Sequence, residues 1–156
     1  MARLHGISRN LNAFLDLISF AEGTRGLGDD GYNKLVNPAK FFDSYATHPN
    51  VLVQVKKGLK STAAGRYQHL SRHWDWYRER LGLPDFGPES QDRWAIQLIR
   101  ERRALAHIEA GNIPQAIKQC SNIWASFPGA GYKQPEHSLA VLLAKYQEFG
   151  GELAPP

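Results

Sequence analysis

The chain has 156 residues, of which 42% are hydrophobic and 22% are charged, and its formal net charge is +4. A chain of this size and composition buries a core of its own, which excludes a disordered tail. Its single cysteine, Cys120, excludes an intramolecular disulfide framework, and no apolar run approaches the roughly 18 residues of a membrane span.

The charge and the first residues indicate the kind of partner and compartment. A positive balance favours an anionic partner, which is nucleic acid, a membrane surface or an acidic cell-wall polymer. The opening sequence MARLHGISRN contains no apolar stretch, so we expect no ordinary secretory signal.

The first element is a helix over about residues 9–22. Its apolar residues Leu11, Phe14, Leu15 and Ile18 follow the spacing of one buried helical face. Residues 24–60 are rich in glycine and proline and contain two strand-like runs, at 32–36 and 51–55. We therefore predict a small β-lobe after the first helix.

The rest of the chain reads as helices. An apolar stripe predicts a second helix over residues 67–81. A third helix is predicted to begin near Pro88 and to extend to Leu105. A fourth is predicted to begin at Asn112 and to carry Trp124 on its inner face. A last helix covers about residues 136–149. The predicted architecture is mainly helical with a small β-lobe.

Glu22 is the strongest catalytic candidate. It lies on the apolar stripe of the first helix and at the C-terminal end of that helix, and both positions disfavour a negative charge. A carboxylic acid that stays protonated near neutral pH is what a general acid requires. The alternative is a glutamate at a frayed helix end that points into solvent.

The segment from Ser61 to Gln68 is the second candidate. Its small residues permit close approach of a ligand to the backbone, while Tyr67 and Gln68 add an aromatic surface and an amide. This mixture suits a polyhydroxylated ligand, although it is also compatible with an ordinary loop before a helix.

Other residues are expected to be structural. We predict that Trp74, Trp94 and Trp124 pack in the core, that Trp76 is exposed, and that Cys120 is a core residue. His69 and His73 have the i, i+4 spacing of a chelating pair on one helix, but no third ligand is evident, so we expect no metal site and no cofactor.

Several short motifs identify a family. The sequence resembles the phage lambda endolysin family of lytic transglycosylases over nearly its whole length. The motifs that carry the resemblance, in order, are Ala21-Glu22-Gly23-Thr24, Gly31-Tyr32-Asn33, residues 43–49, residues 60–68, Ser90-Gln91-Asp92, residues 120–126 and residues 128–132.

The resemblance implies a lysozyme-like α+β fold in a single catalytic domain over 1–156, with a β-rich lobe at about 24–60 and a glycan-binding cleft between the lobes. It implies cleavage of the β-1,4 bond between N-acetylmuramic acid and N-acetylglucosamine, with a 1,6-anhydro product. Glu22 corresponds to the catalytic glutamate. The implied substrate contacts are Tyr32, Asn33, Ser61, Thr62, Ala63, Gly65, Arg66, Tyr67, Gln68, Asn122 and Tyr132.

The resemblance also sets expectations about partners and compartment. The partner is a peptidoglycan strand rather than nucleic acid, and the chain is expected to be a monomer without stable membrane insertion. It would accumulate in the host cytoplasm and act in the periplasm after a separate phage protein permeabilises the membrane.

Two departures from the family pattern keep alternatives open. Asn33 stands where the family has an acidic residue, and Ala63 stands where it has a glycine. A hydrolytic lysozyme would use Glu22 together with Asp29 or Asp30, because hydrolysis ordinarily takes two carboxyl groups. A non-catalytic basic module that binds the wall or nucleic acid is the alternative from another class.

Overall fold

The computed structural model describes residues 1–129 and 136–156. Within them, the helices and strands in chain order are α1 (Arg9–Ala21), β1 (Val53–Lys56), β2 (Leu59–Ser61), a 3₁₀ turn (Ser71–His73), α2 (Trp74–Leu81), α3 (Pro88–Glu101), α4 (Leu105–Glu109), α5 (Ile113–Cys120) and α6 (Leu139–Glu148). The predicted architecture, mainly helical with a small β element, is confirmed.

Helix α1 runs through the middle of the core and ends at the catalytic candidate. Ser8 caps its N-terminus, because the Ser8 hydroxyl accepts a hydrogen bond of 3.0 Å from the N–H of Leu11. Phe14, Leu15 and Ile18 are completely buried. The helix ends at Ala21, and a left-handed turn at the next glycine redirects the chain.

The β-lobe is smaller than predicted. Strands β1 and β2 form one antiparallel hairpin that overlaps the predicted strand at 51–55. The predicted strand at 32–36 is wrong, because that region makes only isolated bridges, from Lys34 to Phe41 and from Leu35 to Ala64. A tight loop closed by the hydrogen bond from Leu35 N–H to Lys40 O contains Pro38, which leaves no continuous ladder.

The predicted helix over 67–81 begins later than the sequence indicated. Gln68 adopts a positive φ of 54°, and His69 pairs with Ala64 in a β-bridge, so α2 starts only at Trp74 after the 3₁₀ turn. The interpretation of His69 and His73 as one helical pair is therefore wrong. His69 instead stacks flat on Trp94, with ring centroids 4.0 Å apart.

The later helices are shorter than predicted. A residue with positive φ, Arg103, separates α3 from α4, so Leu105 does not belong to the third helix. Helix α5 ends at Cys120 and leaves Trp124 in the following turns, and α6 begins at Leu139 rather than at 136.

The hydrophobic core has two clusters, one around α1, α5 and α6 and a smaller one around Phe86 and Trp94. Burial of Trp74, Trp94 and Trp124 is confirmed, as is the exposure of Trp76, which is 56% exposed. Cys120 is fully buried as predicted, and burial raises the pKa of its thiol to about 12. Across the described ranges, every helix is too short or too polar to cross a bilayer.

Candidate active site

Glu22 combines partial exposure with a strongly perturbed carboxyl group. Its backbone N–H donates to Ile18 O at 2.8 Å, and its side chain makes no hydrogen bond with the residues that the structure describes. Burial raises the pKa of Glu22 from its ordinary value of 4.5 to about 8. The carboxyl is therefore mostly protonated at pH 7, in agreement with the sequence-based expectation of a raised pKa.

The turn that carries Glu22 is fixed on both sides. The Thr24 hydroxyl donates a hydrogen bond of 2.6 Å to Arg66 O, and the Thr24 N–H donates to Ser19 O. On the other side, His137 Nε2 lies 3.2 Å from Ala21 O. These contacts hold the acid against the 61–68 segment, the other candidate of the sequence analysis.

The 61–68 segment owes its path to a close contact with α3. Gly65 has a φ of +83°, and a Cβ atom at this position would lie well inside van der Waals contact with Gln91 Oε1. The same Gln91 oxygen accepts a hydrogen bond of 2.9 Å from the N–H of Arg66. Only glycine fits here, so the backbone of the segment is pressed onto the N-terminal half of α3.

Three predicted substrate contacts are buried side chains. Tyr32, Arg66 and Tyr67 have no exposed surface. Arg66 Nη2 donates a hydrogen bond of 2.6 Å to an Asp16 carboxylate oxygen. The two tyrosine hydroxyls both donate to Asp92 Oδ1, that of Tyr32 at 2.7 Å and that of Tyr67 at 2.5 Å. The polar groups of these three side chains hold the wall of the site together, and Tyr67 also lines the cavity of about 330 Å³ beside it. Their role as substrate contacts stays a prediction.

Sequence reasoning gave no role to the two carboxylates at the centre of this network, although Asp92 belongs to one of the motifs that carry the resemblance. Asp92 Oδ2 also accepts hydrogen bonds from the backbone N–H groups of Arg3 and Leu4, at 2.8 and 2.9 Å. Asp16 and Asp92 are both buried. Their signal was the presence of a carboxylate within an apolar helix pattern, which indicates a paired buried charge.

The remaining predicted contacts lie nearer the surface. Asn33, Ser61, Thr62 and Gln68 are partly exposed and Asn122 is exposed, whereas Ala63 and Gly65 are buried. Gln68 and Asn122 line the same cavity of about 330 Å³. Tyr132 lies outside the described residues. The roles of all of these in substrate binding stay predictions.

Asp29 and Asp30 are held in ion pairs. Asp29 pairs with the Arg3 guanidinium and accepts a hydrogen bond of 2.5 Å from the Tyr45 hydroxyl, and these groups lower its pKa. Burial by itself raises the pKa of Asp30, but the N–H of Gly26, the N-terminal ammonium group and the Arg66 guanidinium bring it below its ordinary value. Glu22 is therefore a neutral acid, whereas Asp29 and Asp30 are ionised carboxylates bonded to other groups of the protein.

Metal-ligating side chains do not cluster in the described ranges, where no three His, Cys, Asp or Glu residues converge on one point. Burial lowers the pKa of His69 to about 3, and its ring stacks on Trp94. The neutral ring of His69 is a packing element here.

Comparison with known proteins agrees with this geometry. The chain is 51% identical over 149 residues to the endolysin of Escherichia phage lambda, with 93% of this chain and 94% of that protein covered, and 48% identical to the endolysin of Escherichia phage P2, with 92% and 94% covered.

Solved structures show the same fold. Bacteriophage lambda lysozyme complexed with a chitohexasaccharide superposes with a TM-score of 0.92 at 49% identity, covering 96% of this chain and 99% of that one. A second structure, of lysozyme from bacteriophage lambda, superposes with a TM-score of 0.87 at 48% identity and the same coverage. The predicted lysozyme-like fold is thereby confirmed. The sequence model of the Endolysin family matches residues 12–153. The chain belongs to the endolysin family and is a lysozyme-like, peptidoglycan-degrading enzyme of bacteriophage type.

Proposed function

We propose that this chain is a lytic transglycosylase that cleaves the bond between N-acetylmuramic acid and N-acetylglucosamine and leaves a 1,6-anhydromuramic end. The observation that carries the proposal is the position of Glu22 at the end of the buried helix α1, with no hydrogen-bond partner for its carboxyl among the described residues; burial there raises its pKa to about 8. The glycan-bound lambda lysozyme of the same fold supports a glycan as the substrate class.

In the first half of the reaction, Glu22 acts as the acid. Its proton passes to the glycosidic oxygen as the bond from that oxygen to C1 of the muramic acid breaks, and the sugar ring develops oxocarbenium character. The N-acetylglucosamine leaves as a neutral alcohol, and Glu22 is left as a carboxylate.

In the second half, the same carboxylate acts as the base. It takes the proton of the C6 hydroxyl of the same muramic acid while that oxygen forms a bond to C1. The nucleophile is already attached to the ring it attacks, which in favourable systems is equivalent to roughly 7–11 kcal/mol of barrier. The cycle restores the protonated Glu22 and consumes no water.

The hydrolytic alternative requires a second carboxylate that is free to act. Asp29 is bonded to Arg3 and Tyr45, and Asp30 to Gly26 and Arg66, so both are occupied by partners on the protein. At the position where the family carries an acid, Asn33 has its side-chain oxygen bonded to the N–H of Asp29 at 2.9 Å. These contacts favour the mechanism that uses Glu22 alone.

The products decide between the two mechanisms. Mass spectrometry of purified peptidoglycan after digestion should show glycan ends lighter by one water molecule. Hydrated reducing ends as the dominant primary product would contradict the proposal. A Glu22→Gln variant that still clears cell-wall suspensions at the wild-type rate would contradict the role of Glu22 in either mechanism and revive the non-catalytic alternative.

The proposed site of action is the cell wall, reached from the host cytoplasm after another phage protein permeabilises the inner membrane. The net charge of +4 is consistent with attraction to an anionic wall. Binding to wall suspensions should weaken as salt rises, and binding that is independent of salt would remove the electrostatic contribution.

A further inference from the structure

A second binding feature adjoins the predicted cleft. The cavity of about 330 Å³ is lined by Gln68 and Asn122 and also by Tyr77, Trp94 and Arg102. Gln68 and Asn122 are predicted substrate contacts, whereas the other three form a wall from α2, α3 and the residue after α3, to which the family resemblance assigned no role. A glycan in the cleft would therefore place its substituents within reach of this wall.

Arg102 is one of three charged residues that line the cavity, with Arg72 and Glu101. It follows the last residue of α3, and its side chain makes no hydrogen bond or ion pair within residues 1–129 and 136–156. Its Nε atom is buried and unpartnered. A guanidinium that has lost part of its hydration without gaining an acceptor is unfavourable, and an ionised acceptor would offset that cost.

The carboxylate nearest in sequence does not fill this role. Glu101 also lines the cavity, but its Oε1 accepts a hydrogen bond of 2.7 Å from the Tyr77 hydroxyl and its Oε2 one of 3.1 Å from Gln97. Both of its oxygens are engaged away from Arg102. The positive charge of Arg102 is thus left for a group from outside the chain.

Trp94, which lines the same cavity, carries a second unsatisfied donor. Its side chain is 1% exposed, and its Nε1–H has no acceptor in the described residues. The indole is fixed between His69, with ring centroids 4.0 Å apart, and Tyr77, at 5.2 Å. Two of the four buried unpartnered side-chain atoms in the described structure therefore belong to residues that line one cavity, and both are N–H donors.

We propose that this cavity binds a carboxylate of the peptide stem of peptidoglycan, with the Arg102 guanidinium as its main partner. The proposal rests on peptidoglycan being the substrate. The sugars of the strand offer neutral hydroxyl and acetamido groups, whereas the negative charges of the stem are carboxylates, which match the fork of a guanidinium. Stem recognition would let the enzyme distinguish cell wall from an uncharged chitin strand.

The first test compares two substrates, intact peptidoglycan and the same peptidoglycan with its stem carboxylates converted to neutral amides. Arg102→Gln should lower the ratio of kcat/KM on the carboxylate-bearing substrate to kcat/KM on the amidated one by about tenfold, as expected for loss of one charge-assisted contact. Arg100→Gln removes the same charge from an exposed position on α3 outside the cavity, and it should leave the ratio unchanged.

Equal ratios of kcat/KM for the wild type and Arg102→Gln would overturn the proposal. An equal fall of the ratio in Arg102→Gln and Arg100→Gln would also overturn it, because the effect would then come from the net charge of the protein. The ratio measures bond cleavage irrespective of the end formed. Hydrated product ends would therefore refute the transglycosylase mechanism without touching this result.

The second test requires no variant of Arg102. The free stem tetrapeptide is added to the isotope-labelled full chain, and the side-chain N–H resonances of Arg102 and Trp94 are followed by NMR. Both should shift as the peptide saturates the cavity, while the exposed Trp76 indole, which lies outside the cavity, should not. Absence of any shift at millimolar peptide, or an equal shift of all three resonances, would overturn the proposal.

Discussion

Replacing Glu22 with glutamine should abolish cell-wall clearing and, at the same time, stabilise the protein in alkaline solution. The pKa of Glu22 is raised from 4.5 to about 8 in the folded protein by burial. The folded state therefore binds more protons than the unfolded state between these two values, and the free energy of unfolding of the wild type falls as the pH rises through that window. Glutamine does not titrate, so the variant escapes this loss.

The size of the effect follows from the shift. At about 1.4 kcal/mol for each pH unit between the two pKa values, the ceiling is about 5 kcal/mol above pH 8. Glu22 keeps part of its surface exposed, so solvent offsets part of the desolvation of its carboxylate. We therefore expect the variant to gain about 1–2 kcal/mol relative to the wild type between pH 5 and pH 9.

Thermal or urea unfolding at a series of pH values measures this difference. A gain of that size corresponds to a rise of roughly 2–8 °C in the relative Tm. Glu79→Gln, at an exposed position on α2, is the matched control and should show no such dependence on pH. If the stability difference between Glu22→Gln and the wild type is the same at pH 5 and pH 9, the carboxyl is not desolvated and the argument for a neutral acid fails.

Three further outcomes are expected. Activity on purified peptidoglycan should fall as the pH rises through about 8, because the acid form of Glu22 is then lost. A pH profile of activity that stays flat to about pH 10 would contradict the role of Glu22 as the acid. Asp92→Asn should lower the free energy of unfolding, measured in urea, by about 2–3 kcal/mol, because the amide cannot accept all four hydrogen bonds of the buried carboxylate. A loss below about 0.5 kcal/mol would show that the network is not needed for stability. Asn33→Asp keeps the acceptor for the N–H of Asp29, so the rate of turbidity clearing should remain within about twofold of the wild-type rate. A tenfold rise in that rate would indicate that the reaction uses a second carboxylate.

Local sequence patterns were sufficient for α1 and for the environment of Glu22. The apolar spacing placed the carboxylate at the end of a buried helix, and the raised pKa of Glu22 follows from that position. Patterns failed where contacts outside the helical spacing decide the path of the chain. His69 was predicted on one helix with His73, but its β-bridge to Ala64 and its stacking on Trp94 of α3 over-ride that spacing.

The site was predictable as a segment but not side chain by side chain. The sequence singled out residues 61–68, yet it did not reveal that Arg66 and Tyr67 turn inward. Their orientation is set by Asp16 and Asp92, which lie 50 and 25 positions away, respectively, along the chain. Spacing within a segment carries no information about such distant partners.

The close contact at Gly65 bears on how this scaffold tolerates redesign. A side chain there would have to displace Gln91, whose amide also donates to Tyr32 O and Phe86 O, so a substitution would disturb three loops at once. A mutant library aimed at new glycan specificity should therefore leave this glycine constant and vary the partly exposed positions on either side, Thr62 and Gln68.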